Sequence, residues 1–118
     1  MTTILMVDDN PADIDEMNAI LTNAGYSTLI QPDGVHILEF LHSHLPDIIM
    51  LDLVMPKMNG IEILRELKRE FPEIPVIMCS AAGLEQVVTL AMRVGAAGYV
   101  VKPYQKEELL ESIKKITT

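Results

Sequence analysis

The stretch from Asp47 to Gly60 constrains the fold more than any other part of the chain. Ile48, Ile49, Met50 and Leu51 form a run that is too short to span a membrane and apolar on every side. A strand covered on both faces has this character. The run ends on Asp52. A turn containing Pro56 and Asn59-Gly60 follows, and then Ile63, Leu64, Leu67 and Phe71 recur at helical spacing. A carboxylate therefore stands at the carboxyl end of a buried parallel strand, where open α/β sheets bind their ligands.

The same pattern repeats along the chain. Ile4 to Val7 is a short apolar strand ending on Asp8-Asp9. Asn10-Pro11 reads as a helix start, with Asn10 as the cap and Pro11 in the first helical position. Ile14, Met17, Leu21 and Ala24 form the apolar face of that helix, and Gly25 stops it. Tyr26 to Ile30 reads as a strand and Pro32-Asp33-Gly34 as a turn. A helix is expected from Val35 to about Leu45, with Ile37, Leu38, Leu41 and Leu45 inward. Val76 to Cys79 is another buried strand, followed by Ser80. Leu84, Val87, Val88, Ala91 and Gly95 predict a helix. Tyr99 to Val101 is the last strand, closed by Lys102-Pro103, and Gln105 to Ile116 is the final helix. Five strands alternating with five helices predict a parallel sheet with right-handed crossovers.

The polar residues that end these strands form one set. Asp8, Asp9, Asp52, Ser80 and Lys102 all fall at carboxyl ends and hence on one edge of the sheet. Three carboxylates crowded there repel one another by several kcal/mol per close pair at an effective dielectric near ~20. Proton uptake or a hard divalent cation would relieve that repulsion. Magnesium suits oxygen ligands and is held by one or two carboxylates plus a phosphate. Lys102 would supply a point charge, and Ser80 a hydroxyl, for phosphoryl oxygens. The set matches phosphoryl transfer onto Asp52 as nucleophile.

With these motifs in place, the chain resembles a receiver domain of the two-component response regulators over all of residues 1–118, close to the stand-alone, CheY-like type. The resemblance rests on the strand Ile4 to Val7 with Asp8-Asp9, on Asp52 with Met55-Pro56 and Gly60, on Ser80-Ala81, and on Lys102-Pro103. It implies a flavodoxin-like, doubly wound (βα)5 sheet of strand order 2-1-3-4-5. By the same resemblance Asp8 and Asp9 hold Mg2+, Asp9 more directly, and Val54 offers its backbone carbonyl. The Lys102–Pro103 bond is expected to be cis. Ser80 and Tyr99 form the switch, and Val54 and Ala82 tune the lifetime of the phosphoryl group. The implied partners are a sensor histidine kinase and a downstream protein on the face of helix 4, strand 5 and helix 5, with a monomer or weak dimer expected. The chain would not be an enzyme beyond Mg2+-dependent self-phosphorylation and autodephosphorylation.

Other functions fit less well. A phosphotransfer intermediate, passing phosphate to a histidine domain, keeps the same site. A phosphorylation-independent binding module would not need Asp8, Asp9, Asp52, Ser80 and Lys102 together. A flavodoxin-type electron carrier needs a phosphate loop after the first strand, where Asp8-Asp9 would repel it. An aspartate-nucleophile phosphatase separates its two aspartates by one residue, and Asp8 and Asp9 are adjacent. His42 and His44 share no helix face and make no metal site. His36 reads as a surface residue. Cys79 reads as a small buried hydrophobe and the methionines as core filler.

Composition sets the outer bounds. At 118 residues the chain is one domain. Hydrophobic residues at 49% and charged residues at 22% fit a globular, soluble protein. The net charge of −8 argues against direct nucleic-acid binding. Met1-Thr2-Thr3 leads into the first strand without a signal-peptide pattern, and no run approaches a membrane span. A cytoplasmic protein without membrane insertion is the expectation, with no output module after the last helix.

Overall fold

Strands that are apolar at every position must be covered on both sides, and the computed structural model resolves how. It describes residues 2–32, 34, 36–55 and 58–117, with only the backbone of Val54 and Met58. Five parallel strands, β1 (Thr3–Val7), β2 (Ser27–Gln31), β3 (Ile48–Asp52), β4 (Val76–Ala81) and β5 (Gly98–Lys102), lie in the order β2-β1-β3-β4-β5. Between and after them run α1 (Pro11–Asn23), α2 (Ile37–Ser43), α3 (Gly60–Glu70), α4 (Glu85–Val94) and α5 (Lys106–Thr117). The expected doubly wound fold and strand order are those observed.

The period-2 alternation of a strand divides the core into two layers. Leu5, Val7, Ile49, Leu51, Val76 and Met78 pack with Ile37, Leu41, Ile63, Leu64, Leu67, Val88 and Ala91 from α2, α3 and α4. Ile4, Met6, Ile48, Met50, Ile77, Cys79 and Val100 pack on the other side with Met17, Leu21, Leu109 and Ile113 from α1 and α5. Every residue of β3 is buried, because this strand is central in the sheet and covered by helices on both faces.

Local signals set the helix ends. The Asn10 side chain accepts hydrogen bonds from the N–H groups of Ala12 (2.9 Å) and Asp13 (3.4 Å), with Pro11 in the first turn of α1. Gly25, at φ 95°, takes the left-handed conformation that ends the helix. Asn59 caps α3 by accepting from Ile61 N–H at 2.9 Å. The Lys102–Pro103 bond is cis, as expected.

Several boundaries differ from expectation. α2 ends at Ser43, two residues before Leu45, which is 69% exposed rather than inward. Pro46 disfavours the helical conformation at the residue before it, so the apolar periodicity outlasts the helix. Ala24 lies outside α1 as its C-cap and is exposed. Gly95 ends α4 at φ 132° instead of packing within it. The turn after β3 contains a two-stranded antiparallel hairpin, Val54–Met55 with Met58–Asn59. Asp33, Val35, Pro56 and Lys57, on which the expected turn, helix start and acceptor loop partly rest, lie outside the described residues. Among those described, no helix is long and apolar enough to cross a membrane.

Cys79 behaves as a core residue. It is 2% exposed, and burial pushes its thiol up to about 12, opposed in part by Tyr104 and by the Lys102 charge. The native protein should therefore leave Cys79 unlabelled by a thiol reagent near about pH 8, with full labelling in denaturant. Rapid labelling of the native chain would contradict this packing.

Candidate functional site

The parallel register brings the strand ends to one edge. Val7 pairs with Leu51, Asp52 with Cys79, and Ala81 with Lys102. Alternation then sorts the side chains that follow. Asp8, Asp52 and Lys102 continue the parity of Met6, Met50 and Val100, on the side of α1 and α5. Ser80, Tyr99 and Val101 have the opposite parity, toward α4.

On the first side, one oxygen from each of Asp8, Asp9 and Asp52 lies within 4.8 Å of the others. Asp8 and Asp52 are 5% and 6% exposed, and Asp9 is open to solvent. The Lys102 ammonium stands 3.0 Å from Asp8 and 3.4 Å from Asp52. Its shortest contact is to Asp13 in the first turn of α1, at 2.8 Å. Asp8 also accepts the N–H of Asn10 at 3.0 Å, which ties the acidic strand end to the α1 cap. The expected residues Asp8, Asp9, Asp52 and Lys102 thus come together, and Asp13 joins them unannounced. Its sequence signal was an acidic residue in a first helical turn, which by itself reads as a partner for the helix dipole.

Gly60 sets how closely α3 approaches Asp52. A Cβ there would fall 2.6 Å from the Leu53 carbonyl oxygen and 2.8 Å from that of Asp52. Any side chain would push the start of α3 away from the exit of β3. Val54 follows two residues after Asp52, in the first strand of the hairpin.

On the α4 side, Ser80 is 2% exposed and its hydroxyl donates to the Ala81 carbonyl at 3.1 Å. Tyr99 is 51% exposed. Both line a cavity of about 320 Å³ together with Ala82, Leu84, Val88 and Met92.

The electrostatics follow from three carboxylates, Asp8, Asp13 and Asp52, facing one ammonium. Burial, then the negative charge of Asp8, raises Asp52 from its ordinary 3.8 to about 6, with Lys102 opposing in part. Burial acts to lower Lys102, but hydrogen bonds to Asp13 and Asp8 and the charges of Asp52 and Asp8 outweigh it and hold the amine above its ordinary range. A cluster of oxygen donors without nitrogen or sulfur suits a hard cation. Asp8, Asp9 and Asp52 could hold one.

The response regulator receiver domain model matches residues 4–114. The chain belongs to the response regulator receiver family. This receiver is similar to the chemotaxis protein CheY of Bacillus subtilis, at 35% identity over 95% of this chain and 94% of that one. It is 34% identical to the heme response regulator HssR of Staphylococcus saprophyticus, covering 98% of this chain and 51% of the relative. A crystal structure of a receiver domain protein from Clostridium thermocellum superposes with a TM-score of 0.91 at 28% identity, over 98% of the receiver and 94% of that chain.

The raised Asp52 has a consequence for stability. The folded receiver binds this proton more tightly than the unfolded chain. The stability Asp52 contributes is full below about pH 4 and is lost as the pH rises through about 6. In metal-free buffer at neutral pH, Asp52→Asn should raise stability by on the order of 1–2 kcal/mol, and the gain should vanish toward pH 4. Urea midpoints across this range measure it. A variant less stable than the parent at neutral pH would refute the crowding.

Proposed function

We propose that this receiver is a phosphoacceptor of a two-component phosphorelay, acting in the cytoplasm and modified on Asp52 by a sensor histidine kinase. The observation that carries the reading is the convergence of Asp8, Asp9, Asp52 and Lys102 at the carboxyl edge of the sheet. In the reaction an Asp52 carboxylate oxygen bonds to phosphorus while the bond from phosphorus to the donor breaks, leaving an acyl phosphate on the protein and the lone pair on the departing group. Asp8, Asp9 and Asp52, with the Val54 carbonyl, would hold Mg2+, which supplies charge neutralisation when bound. Lys102 contributes a fixed positive charge for a phosphoryl oxygen.

Ser80 and Tyr99 would form the switch. A phosphoryl group at Asp52 offers new acceptor oxygens to the Ser80 hydroxyl. Space vacated by Ser80 opens into the cavity that Tyr99 also lines, so the ring can turn inward. This alters the face of α4, β5 and α5, the proposed surface for a downstream protein. A bias of a few kcal/mol is enough to invert such a two-state population. Val54 and Ala82 occupy the lifetime-tuning positions. An exposed alanine methyl cannot orient water, so hydrolysis should lack general-base help from position 82. The same site would also serve a relay that hands phosphate to a histidine domain. A binding module independent of phosphorylation is disfavoured by the buried, charged Asp52.

Incubation with acetyl phosphate and Mg2+ should add one phosphoryl group, detected by intact-mass spectrometry and labile in base. Asp52→Asn should lose it, Asp9→Ala should abolish Mg2+ binding and the modification with it, and Ala82→Glu should shorten its lifetime. Equal modification of Asp52→Asn would refute the acceptor. For the switch, tyrosine-ring NMR with and without beryllofluoride should show Tyr99 moving from exposed to buried. Identical ring signals in both states would remove this route to the surface.

A further inference from the structure

The ammonium of a lysine has three donors, and in this receiver three carboxylates share that of Lys102. They are not equal. Asp13 stands at 2.8 Å, Asp8 at 3.0 Å and Asp52 at 3.4 Å. The first two lie at or near the length of a charge-assisted hydrogen bond, and the third lies beyond it. The lysine is therefore drawn toward α1 and away from the residue on which the chemistry is proposed.

The three carboxylates also differ in what losing the lysine would cost. The Asp13 side chain is 29% exposed, whereas those of Asp8 and Asp52 are 8% exposed. Water can replace the ammonium at Asp13, while a buried carboxylate left unpaired is expensive. Asp13 is thus the partner that can let go. Its backbone is well fixed for the task, since Asn10 caps the turn that carries it. One turn further along α1, Glu16 accepts the Tyr104 N–H at 3.1 Å. Two carboxylates on one face of α1 therefore grip the chain on both sides of Pro103. The backbone around Lys102 is held, and the position of the ammonium is decided by its partners.

We infer that Asp13 is a positioning residue, which keeps Lys102 retracted toward α1 in the unmodified receiver and yields it to the phosphoryl oxygens once Asp52 is modified. The inference rests on Asp52 as the phosphoacceptor. A phosphoryl group carries about −1.5 to −2 charge, enough to compete with one hydrated carboxylate. Asp13 then acts as a load against the phosphorylated state, and α1 feels whether that load is on or off. This extends the switch to a helix on the opposite side of the sheet from Ser80 and Tyr99.

The test is Asp13→Asn, with Asp13→Ser carrying the same measurements should the first variant alter the amide spectrum. Removing the competing carboxylate should tighten beryllofluoride binding at saturating Mg2+ by about threefold to tenfold, a part of one charge-assisted hydrogen bond. In the same variant Mg2+ alone should bind more weakly, because a negative charge is gone and Lys102 leans further onto Asp8 and Asp52. The Lys102 ammonium signal in a 15N NMR spectrum should shift on addition of beryllofluoride to the parent. That shift should be smaller in Asp13→Asn. In a Lys102→Ala background, Asp13→Asn should give no gain in beryllofluoride affinity. A purely structural staple would weaken both ligands together. Unchanged or weaker beryllofluoride binding in folded Asp13→Asn, or a gain that persists without Lys102, overturns the inference alone. Failure of the parent chain to bind beryllofluoride overturns the acceptor reading and this inference with it.

Discussion

The Lys102 ammonium is what allows buried carboxylates to stand side by side at the end of this sheet. Asp8 and Asp52 are each nearly removed from water, and two ionised groups at that separation with no cation would drive the strand ends apart or take up protons. The lysine reaches them because β5 runs parallel to β4 in a register that sets Lys102 opposite Ala81. It is retained because α1, packed across β1, brings Asp13 to the same nitrogen. The sheet order, the α1 cap and the β5 exit all bear on one group. A single lysine does not offset both the burial of Asp52 and the neighbouring charge of Asp8, and Asp52 stays elevated.

Strand parity sets Asp52 and Ser80 on different faces of the sheet. Asp52 and Ser80 end neighbouring strands, yet their side chains belong to opposite layers of the core. Asp52 joins the side of α1 and α5, and Ser80 faces the cavity under α4. A group added to Asp52 can meet Ser80 only across the open edge, where neither layer intervenes. The asymmetry in exposure fits this division, since Tyr99 and Val101 on β5 are open to solvent while Val100 between them is buried.

Much of this was legible in the sequence because it depends on short-range patterns. Apolar runs ending on Asp8-Asp9, Asp52, Ser80 and Lys102 gave both the strands and the edge on which they meet. Asn10-Pro11 and Gly25 gave the limits of α1. Where the reading went astray, a tertiary or backbone constraint had displaced a periodicity. Leu45 keeps the helical spacing of Leu41 but precedes Pro46, so its side chain is left in solvent. The hairpin at Val54–Met55 and Met58–Asn59 is too short to carry a strand pattern. Asp13 was missed for another reason. Its contact with Lys102 spans 89 residues, and a lone acidic residue in a first helical turn has a sufficient local explanation.

The repulsion at the site is only partly relieved by Lys102, and the rest of the fold tolerates it because the costs fall in different places. The two core layers meet on β3, whose five residues are all buried, so the strand bearing Asp52 is anchored by packing on both faces. Gly60 lets α3 begin directly against the end of that strand, leaving its exit little freedom to relax outward. Electrostatic strain therefore cannot be dissipated by moving Asp52. It can be relieved only by protons, by cations, or by shifting side chains at the rim. Asp9 is exposed and Asp13 half-buried, so both are more open to solvent than Asp8 and Asp52. Rigid buried carboxylates with more open ones around them make the charge at this edge responsive while the backbone beneath it stays fixed.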